Sequence, residues 1–151
     1  MNNQLTTIAA TASKSGISLR FLVNRLMNDS LLLATQRKSY IVNEISLEME
    51  LIANEEKIAP VINELLTTVL TNSRNGKIHI TAEKFRDVAI LEIQDRNNYN
   101  GYALAYSILS MESQATTIGG YITMKGQQQL VTTISFGFPN TLEIPTYAYA
   151  C

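Results

Sequence analysis

The chain has 151 residues, of which 46% are hydrophobic and 17% charged, and its formal net charge is −1. This composition indicates one globular domain and argues against a disordered chain or a basic nucleic-acid-binding domain. One histidine, His79, and one cysteine, Cys151, exclude an intrachain disulfide and argue against a Cys/His zinc site. The sequence contains neither a signal-peptide pattern nor an apolar run of the roughly 20 residues that span a bilayer, so we expect a cytoplasmic protein without a membrane segment.

Residues 1–38 are predicted to form an N-terminal helical segment. Apolar positions from Ile17 to Thr35 follow helical periodicity, and the polar residues 28–30 can divide this helix into two pieces. Residues 2–13 fit either a short helix or a disordered lead. The Ile17–Thr35 helix is apolar enough either to cover the sheet or to pair with another chain. Because the run 31–33 places three leucines in a row, we expect a homodimer formed through this helical segment.

Two extended stretches and a helix are predicted next. Tyr40–Ile45 has the pattern of a short strand, and alternation over Leu47–Ala53 predicts a second, edge-like strand. Asn54 followed by two glutamates is typical of a helix N-terminus, and apolar residues keep helical period to Leu70. Pro60 indicates either a distorted first turn or a regular helix that begins at the proline.

Two hairpins with a helix between them are predicted in the second half of the chain. Asp95 continues the inward-facing phase of its strand, whereas His79 is out of phase with its buried neighbours and is expected on the surface. Gly119-Gly120 is predicted to end the helix. The predicted elements are strands Lys77–Glu83 and Val88–Asp95, helix Tyr102–Thr116, and strands Tyr121–Met124 and Leu130–Phe138.

The order of these elements predicts an α+β domain. Helices and antiparallel strands are grouped rather than alternating, so we expect a two-layer α/β sandwich with a mixed sheet and its helices on one face. The domain is predicted to cover residues 39–140, followed by a tail of residues 141–151 that is partly ordered at best.

Three stretches, in the right order, resemble the histidine-kinase-type ATPase domain, which has the Bergerat fold. LIANEEKIAPVINELLTTVL (51–70) resembles the run into the N-box helix, and ILEIQD (90–95) resembles the strand that ends in the G1-box aspartate. IGGYITMKGQQQLVTTISFGFP (118–139) resembles the closing hairpin. The resemblance extends from Tyr40 to Pro139.

The resemblance implies roles for specific residues. Asp95 matches the aspartate that accepts a hydrogen bond from the adenine amino group, and Glu64 matches the N-box glutamate. Thr68 stands where the family has its magnesium-binding asparagine, a poorer match for the metal. Asn97 and Tyr99 stand where the family has glycines that let the backbone approach the phosphates. Gly101 is the glycine left before the next helix.

Two further departures from the family concern the lid and the phosphoacceptor. Six residues separate Asp95 from Tyr102, too few for the lid and second glycine box. The N-terminal segment contains no histidine that could accept a phosphoryl group. The leading hypothesis is therefore a degenerate, non-catalytic signalling module whose partners are a second copy and a response regulator or sensor. The alternative is a minimal ATP-binding protein without a lid that uses Asp95, Glu64 and Thr68 for ATP and magnesium.

Each candidate residue also has a structural interpretation. Asp95 can simply cap the turn at the end of its strand. Glu64 and Thr68 can be part of the polar face of an amphipathic helix, and this interpretation is favoured. Tyr99, Tyr102 and Tyr106 can line a remnant pocket, or Tyr102 and Tyr106 can pack at helical spacing against the sheet, and packing is favoured.

Overall fold

The computed structural model describes residues 17–142. The N-terminal lead, most of the C-terminal tail and Cys151 lie outside these residues. Five helices and five strands are found in the described range. They are α1 (Leu19–Asp29), α2 (Leu31–Gln36), β1 (Tyr40–Asn43), α3 (Glu55–Thr71), β2 (Lys77–Phe85), β3 (Val88–Asp95), α4 (Gly101–Leu109), α5 (Glu112–Thr117), β4 (Tyr121–Lys125) and β5 (Thr132–Pro139).

The strands form one mixed sheet in the order β1-β2-β3-β5-β4. β1 pairs with β2 in parallel, and the other neighbours pair antiparallel. Parallel strands need a long crossover, and α3 supplies it between β1 and β2. The expected α+β fold with a mixed sheet is confirmed.

The core lies between one face of the sheet and the helices. Alternate residues of β3 are buried and their neighbours are only partly so, which is the burial pattern of a strand with one covered face. The buried faces of α1, α3 and α4 join these strand residues in a single apolar cluster. Examples at the centre of this cluster are Leu22, Leu65, Ile80, Leu91 and Phe136.

The N-terminal helical segment divides in two, at the place where the sequence allowed a break. The Ser18 hydroxyl caps α1 by accepting a hydrogen bond from the Arg20 N–H at 3.2 Å. Ser30 is both the C-cap residue of α1 and the N-cap residue of α2. Leu19 and Leu22 on α1 are buried in the common core, so the helix is packed on the domain.

Helix α3 begins at Glu55, with Asn54 as its N-cap. The Asn54 side chain accepts from the Glu56 N–H at 2.9 Å, and the two glutamates occupy the first turn. Pro60 lies inside this helix rather than at its start. A proline there has no N–H to donate, so one hydrogen bond of the second turn is missing while the helix continues. The interpretation that the regular helix begins at Pro60 is wrong.

The predicted strand Leu47–Ala53 is wrong. This stretch makes a single isolated bridge, between Ser18 and Glu50, and no ladder. The Leu19 N–H donates to the Met49 carbonyl at 2.9 Å, and the Leu51 N–H donates to the Ile17 carbonyl at 2.8 Å. The alternation in the sequence therefore reflects a connection that lies over the core beside the start of α1.

The same connection is held by a buried side chain near the other end of the described chain. Asn140 is 7% exposed, and its Oδ1 accepts from the Ile52 N–H at 2.7 Å and the Ala53 N–H at 3.0 Å. Its Nδ2 donates to the Glu50 carbonyl at 2.9 Å. One amide side chain thus satisfies backbone groups that have no strand partner.

The second half of the chain follows the predicted order with shifted boundaries. The predicted helix over residues 102–116 is two helices, α4 and α5, separated at Ser110 and Met111. Gly119, at φ 82°, takes the left-handed conformation after α5, as expected of a glycine that ends a helix. Strand β2 continues to Phe85, and β5 begins two residues later than predicted, at Thr132.

Candidate functional site

Asp95 is the central predicted site residue, and it lies at the end of β3 with 4% of its surface exposed. Its Oδ1 accepts a hydrogen bond from the Asn97 N–H at 2.9 Å and a longer one from the Lys77 N–H at 3.3 Å. The first bond closes the turn that follows the strand, which is the turn-capping role expected of such an aspartate. The carboxylate therefore accepts hydrogen bonds from backbone groups on both neighbouring loops.

A serine pair lies beside this aspartate, and the sequence analysis did not single it out. The Ser39 and Ser73 hydroxyls are 2.8 Å apart, and Ser39 Oγ accepts from the Gly76 N–H at 2.8 Å. A Cβ built on Gly76 would lie 3.0 Å from Ser39 Oγ and 3.3 Å from Asp95 Oδ2. The absence of a side chain at Gly76 is thus what lets the loop approach the carboxylate. Neither serine stands in a recognisable motif, so only their proximity in the fold reveals them.

The residues that follow Asp95 hold the neighbouring loops. Asn97 Nδ2 donates to the Asn75 carbonyl at 2.8 Å, which joins the end of β3 to the loop before β2. Tyr99, at the second glycine position implied by the resemblance, is 49% exposed. The Arg74 guanidinium lies 4.9 Å from the centre of its ring, a cation–π contact. Both side chains therefore take part in contacts between loops.

Gly101 is the first residue of α4, and its close approach is to another part of the same chain. A Cβ at this position would lie 2.2 Å from the Gln127 carbonyl oxygen and 2.7 Å from the Gln127 Cα. The loop between β4 and β5 thus packs directly on the N-terminus of α4. The Asn98 N–H also donates to the Leu130 carbonyl at 2.7 Å, so the two loops are joined at a second point.

The tyrosines of α4 do not pack against the sheet, and that prediction is wrong. Tyr102 and Tyr106 are 62% and 80% exposed. Leu104 and Ile108 supply the buried face of α4 instead, so both tyrosines lie on its outer side. The Tyr102 hydroxyl accepts a hydrogen bond from the Gln128 side chain. His79 lies on the outer face of β2 as predicted, where its ring nitrogen is 3.1 Å from a carboxylate oxygen of Glu44.

Glu64 and Thr68 lie together on one helix, α3. They are one turn apart on α3 and line a cleft of about 320 Å³ between α3 and α4. Hydroxyl and amide side chains dominate the lining, and Glu64 is its charged residue. The lining consists of Glu64, Thr67, Thr68, Thr71, Asn72, Tyr106, Ser107 and Ser110.

The predicted site residues do not all line one cleft. Asp95, Asn97 and Gly101 are absent from the lining of the cleft that contains Glu64 and Thr68. Thr68 Oγ1 points toward the Met111 sulfur at 3.8 Å, and Asn72 Nδ2 donates back to the Thr68 carbonyl at 2.9 Å. In residues 17–142 no three His, Cys, Asp or Glu side chains come together in a group that could hold a metal ion. Their assignment to a nucleotide site stays a prediction.

The strands lie in the order β1-β2-β3-β5-β4, and α3 precedes a hairpin that ends in the buried Asp95. Together these features define a class of fold, that of the histidine-kinase-type ATPase domain. Comparison with solved structures agrees. AdeS, a histidine kinase of Acinetobacter baumannii, superposes with a TM-score of 0.68 at 14% identity over 82% of this chain and 66% of AdeS. The catalytic domain of histidine kinase ThkA superposes with a TM-score of 0.65 at 16% identity over 83% of this chain and 94% of that domain.

A further ThkA structure contains that kinase in complex with response regulator protein TrrA, and it superposes with a TM-score of 0.64 at 16% identity. The present chain corresponds to 49% of that ThkA chain. No protein-family model matches the sequence, and no curated protein matches it. At these identities the similarity establishes the fold: the chain has the fold of histidine kinase catalytic domains. Within residues 17–142, no helix has the length and apolar character needed to cross a membrane.

Proposed function

We propose that this domain is a non-catalytic member of the histidine-kinase-like ATPase group that works as a protein-interaction module in a two-component-like, cytoplasmic pathway. The observation that carries the proposal is the contact between Gly101 and the Gln127 backbone. In the family this stretch is the flexible glycine-rich region that faces the phosphates. Here the same stretch is packed against the chain's own loop.

The short connection between β3 and α4 supports the proposal. Only residues 96–100 join these two elements, which leaves no room for a lid that excludes water. At Asp95, Oδ1 accepts from the Asn97 and Lys77 N–H groups, whereas Oδ2 has no hydrogen-bond partner within residues 17–142. A nucleotide would therefore be held without the enclosure that the resemblance implies, and we derive no phosphoryl-transfer step.

A minimal nucleotide-binding protein is the second candidate, because Glu64 and Thr68 do line one cleft. Glu64 is the charged residue of this cleft, so a nucleotide phosphate bound there needs a cation such as Mg²⁺ between it and the carboxylate. Isothermal titration calorimetry with Mg-ATP and with Mg-ADP separates the two candidates. We expect no heat of binding at millimolar nucleotide. Micromolar binding that is lost in both Asp95→Asn and Glu64→Gln would overturn the non-catalytic proposal and support the second candidate.

The proposed module is a homodimer formed through α1 and α2. Leu31 and Leu32 are 63% and 72% exposed, and Phe21 on α1 is 62% exposed, so three large apolar side chains project from this segment. Burial of such side chains between two copies is favourable by about 1.5–3 kcal/mol for each fully buried chain. Light scattering after size-exclusion chromatography measures the mass. We expect a dimer for the natural sequence and a monomer for the double substitution Leu31→Gln and Leu32→Gln.

The control for this experiment is Leu130→Gln. Leu130 is 62% exposed but lies in the loop between β4 and β5, away from α1 and α2. The control should leave the mass unchanged. A monomeric natural protein, or a dimer that survives the double substitution, would contradict the proposed dimer without affecting the non-catalytic assignment. The other proposed partner is a response regulator or sensor protein, the class of partner that is bound in the ThkA–TrrA structure.

A further inference from the structure

A group of basic residues lies at the Asp95 end of the sheet, although the net charge of the whole chain is −1. We call this group the basic end. All of its members are exposed. They stand on three loops that are far apart in sequence and were not recognised as a group from their spacing. The basic end consists of Arg37, Lys38, Arg74, Lys77 and Arg96.

Backbone hydrogen bonds fix these loops against one another. The Asn75 N–H donates to the Arg37 carbonyl at 3.0 Å, and the Arg96 N–H donates to the Lys77 carbonyl at 2.8 Å. The Tyr40 N–H donates to the Gly76 carbonyl at 3.1 Å. The basic side chains therefore project from a connected piece of backbone, so little conformational entropy is lost in bringing the loops together for a ligand.

The Asp95 carboxylate lies at this end, but it is buried and its hydrogen bonds are to backbone N–H groups. Arg96 lies 4.0 Å from Glu44, which is the long limit of an ion pair, and Arg74 contacts the Tyr99 ring. Arg37, Lys38 and Lys77 have no ion-pair partner among residues 17–142. The turn between β2 and β3 at the opposite end differs, because there Lys84 and Arg86 are interleaved with Glu83 and Asp87.

We propose that the basic end binds an acidic, carboxylate-rich segment of a partner protein. This inference rests on the proposed function as an interaction module and names the chemistry of its partner. Positive charges carried on hydrogen-bonded loops at one end of a sheet, three of them without an ion-pair partner in residues 17–142, attract an anion and raise its association rate. Arginine, whose guanidinium matches a carboxylate in two-point geometry, supplies three of the positive charges of the basic end.

The composition around the basic end favours a protein over a nucleic acid. Tyr40 and Tyr99 are 51% and 49% exposed beside the charges, and tyrosine with arginine is the composition of protein–protein binding hot spots. A nucleic acid would also extend beyond this end along a protein whose sequence pI is about 5.8, where acidic side chains oppose it. A short acidic segment contacts the basic end alone.

Fluorescence anisotropy with the full chain tests the proposal. The probes are fluorescein-labelled octaglutamate, octaglutamine and a 5′-phosphorylated octathymidylate, measured at about 20 mM salt because screening weakens such contacts at higher salt. The test variant is Lys38→Asn with Lys77→Gln, and the control variant is Lys84→Gln with Arg86→Asn. The two variants match, since each removes two positive charges and each changes one residue with positive φ, Lys38 at 54° or Arg86 at 57°.

We expect octaglutamate to bind the natural protein, octaglutamine not to bind, and the test variant to bind octaglutamate roughly fivefold more weakly, from about 0.5 kcal/mol per exposed charge. The control variant should bind as the natural protein does. Absence of octaglutamate binding, or equal weakening by both variants, would overturn the inference. Tighter binding of octathymidylate than of octaglutamate would overturn it in favour of a nucleic-acid site. Failure of the proposed function appears separately, in the nucleotide calorimetry.

Discussion

The packing of Gly101 against the β4–β5 loop makes a quantitative prediction for Gly101→Ala. The added methyl would lie 2.2 Å from the Gln127 carbonyl oxygen and 2.7 Å from the Gln127 Cα, both backbone atoms. Relief of these contacts requires the loop to move by about an ångström away from α4. Overpacking of this kind costs about 1–3 kcal/mol. Alanine is the better helix former, but the gain of up to about 1 kcal/mol applies to helix interiors and is smaller at the first residue.

The assay is urea unfolding followed by circular dichroism, with the free energy of unfolding extrapolated to water. Gly137→Ala is the matched control, since its Cβ would also lie 2.3 Å from another atom, but that atom belongs to the Tyr121 ring. Tyr121 is 44% exposed and can rotate into solvent, so this substitution should cost less than about 1 kcal/mol. Equal stability of Gly101→Ala and the natural protein, or equal losses in the two variants, would refute the reasoning.

Three further predictions concern stability and exposed side chains. In the same urea assay, Asp95→Ala should lower the free energy of unfolding by about 1–3 kcal/mol, because the Asn97 and Lys77 N–H groups lose their acceptor. Asp95→Asn retains an acceptor oxygen and should therefore lower it less. Asn140→Ala should lower the free energy of unfolding by about 2–4 kcal/mol in the same assay, since three hydrogen bonds to residues 50–53 are lost at a buried position. A loss below about 1 kcal/mol would show that water replaces the side chain. Tyr106→Ser should leave the free energy of unfolding within about 0.5 kcal/mol of that of the natural protein, because the ring is 80% exposed. A larger loss would show that the ring packs on the domain.

Local patterns predicted most of the elements, because the cause of each lies within a few residues. Alternation predicted β3 and the inward side chain of Asp95, and Asn54 followed by acids predicted the start of α3. Irregularities inside the elements were harder to predict. Pro60 is tolerated because buried apolar residues hold the helix on both sides of it, Ile58 before the proline and Val61 and Ile62 after it.

The errors have a common physical origin in long-range contacts. Residues 47–53 alternate like a strand, but their backbone groups pair with Ile17, Leu19 and Asn140, which are distant in sequence. The contact of Gly101 with Gln127 likewise joins the start of α4 to the β4–β5 loop, and the spacing of these two residues carries no motif. The tyrosines of α4 were misplaced because helical spacing alone does not say which face meets the core, and Leu104 and Ile108 occupy that face.

The three hydrogen bonds between the Asn140 side chain and residues 50–53 have a consequence for folding on the ribosome. The acceptor of the Ile52 N–H, Asn140 Oδ1, belongs to a residue 88 positions further along the chain. The last strand of the sheet, β5, ends at Pro139, directly before that residue. The β2–β3 hairpin contains local contacts and can form early, but the connection before α3 stays open until residue 140 has left the exit tunnel. A nascent chain arrested before that point should remain sensitive to proteases at residues 46–53, and one arrested well after it should be resistant.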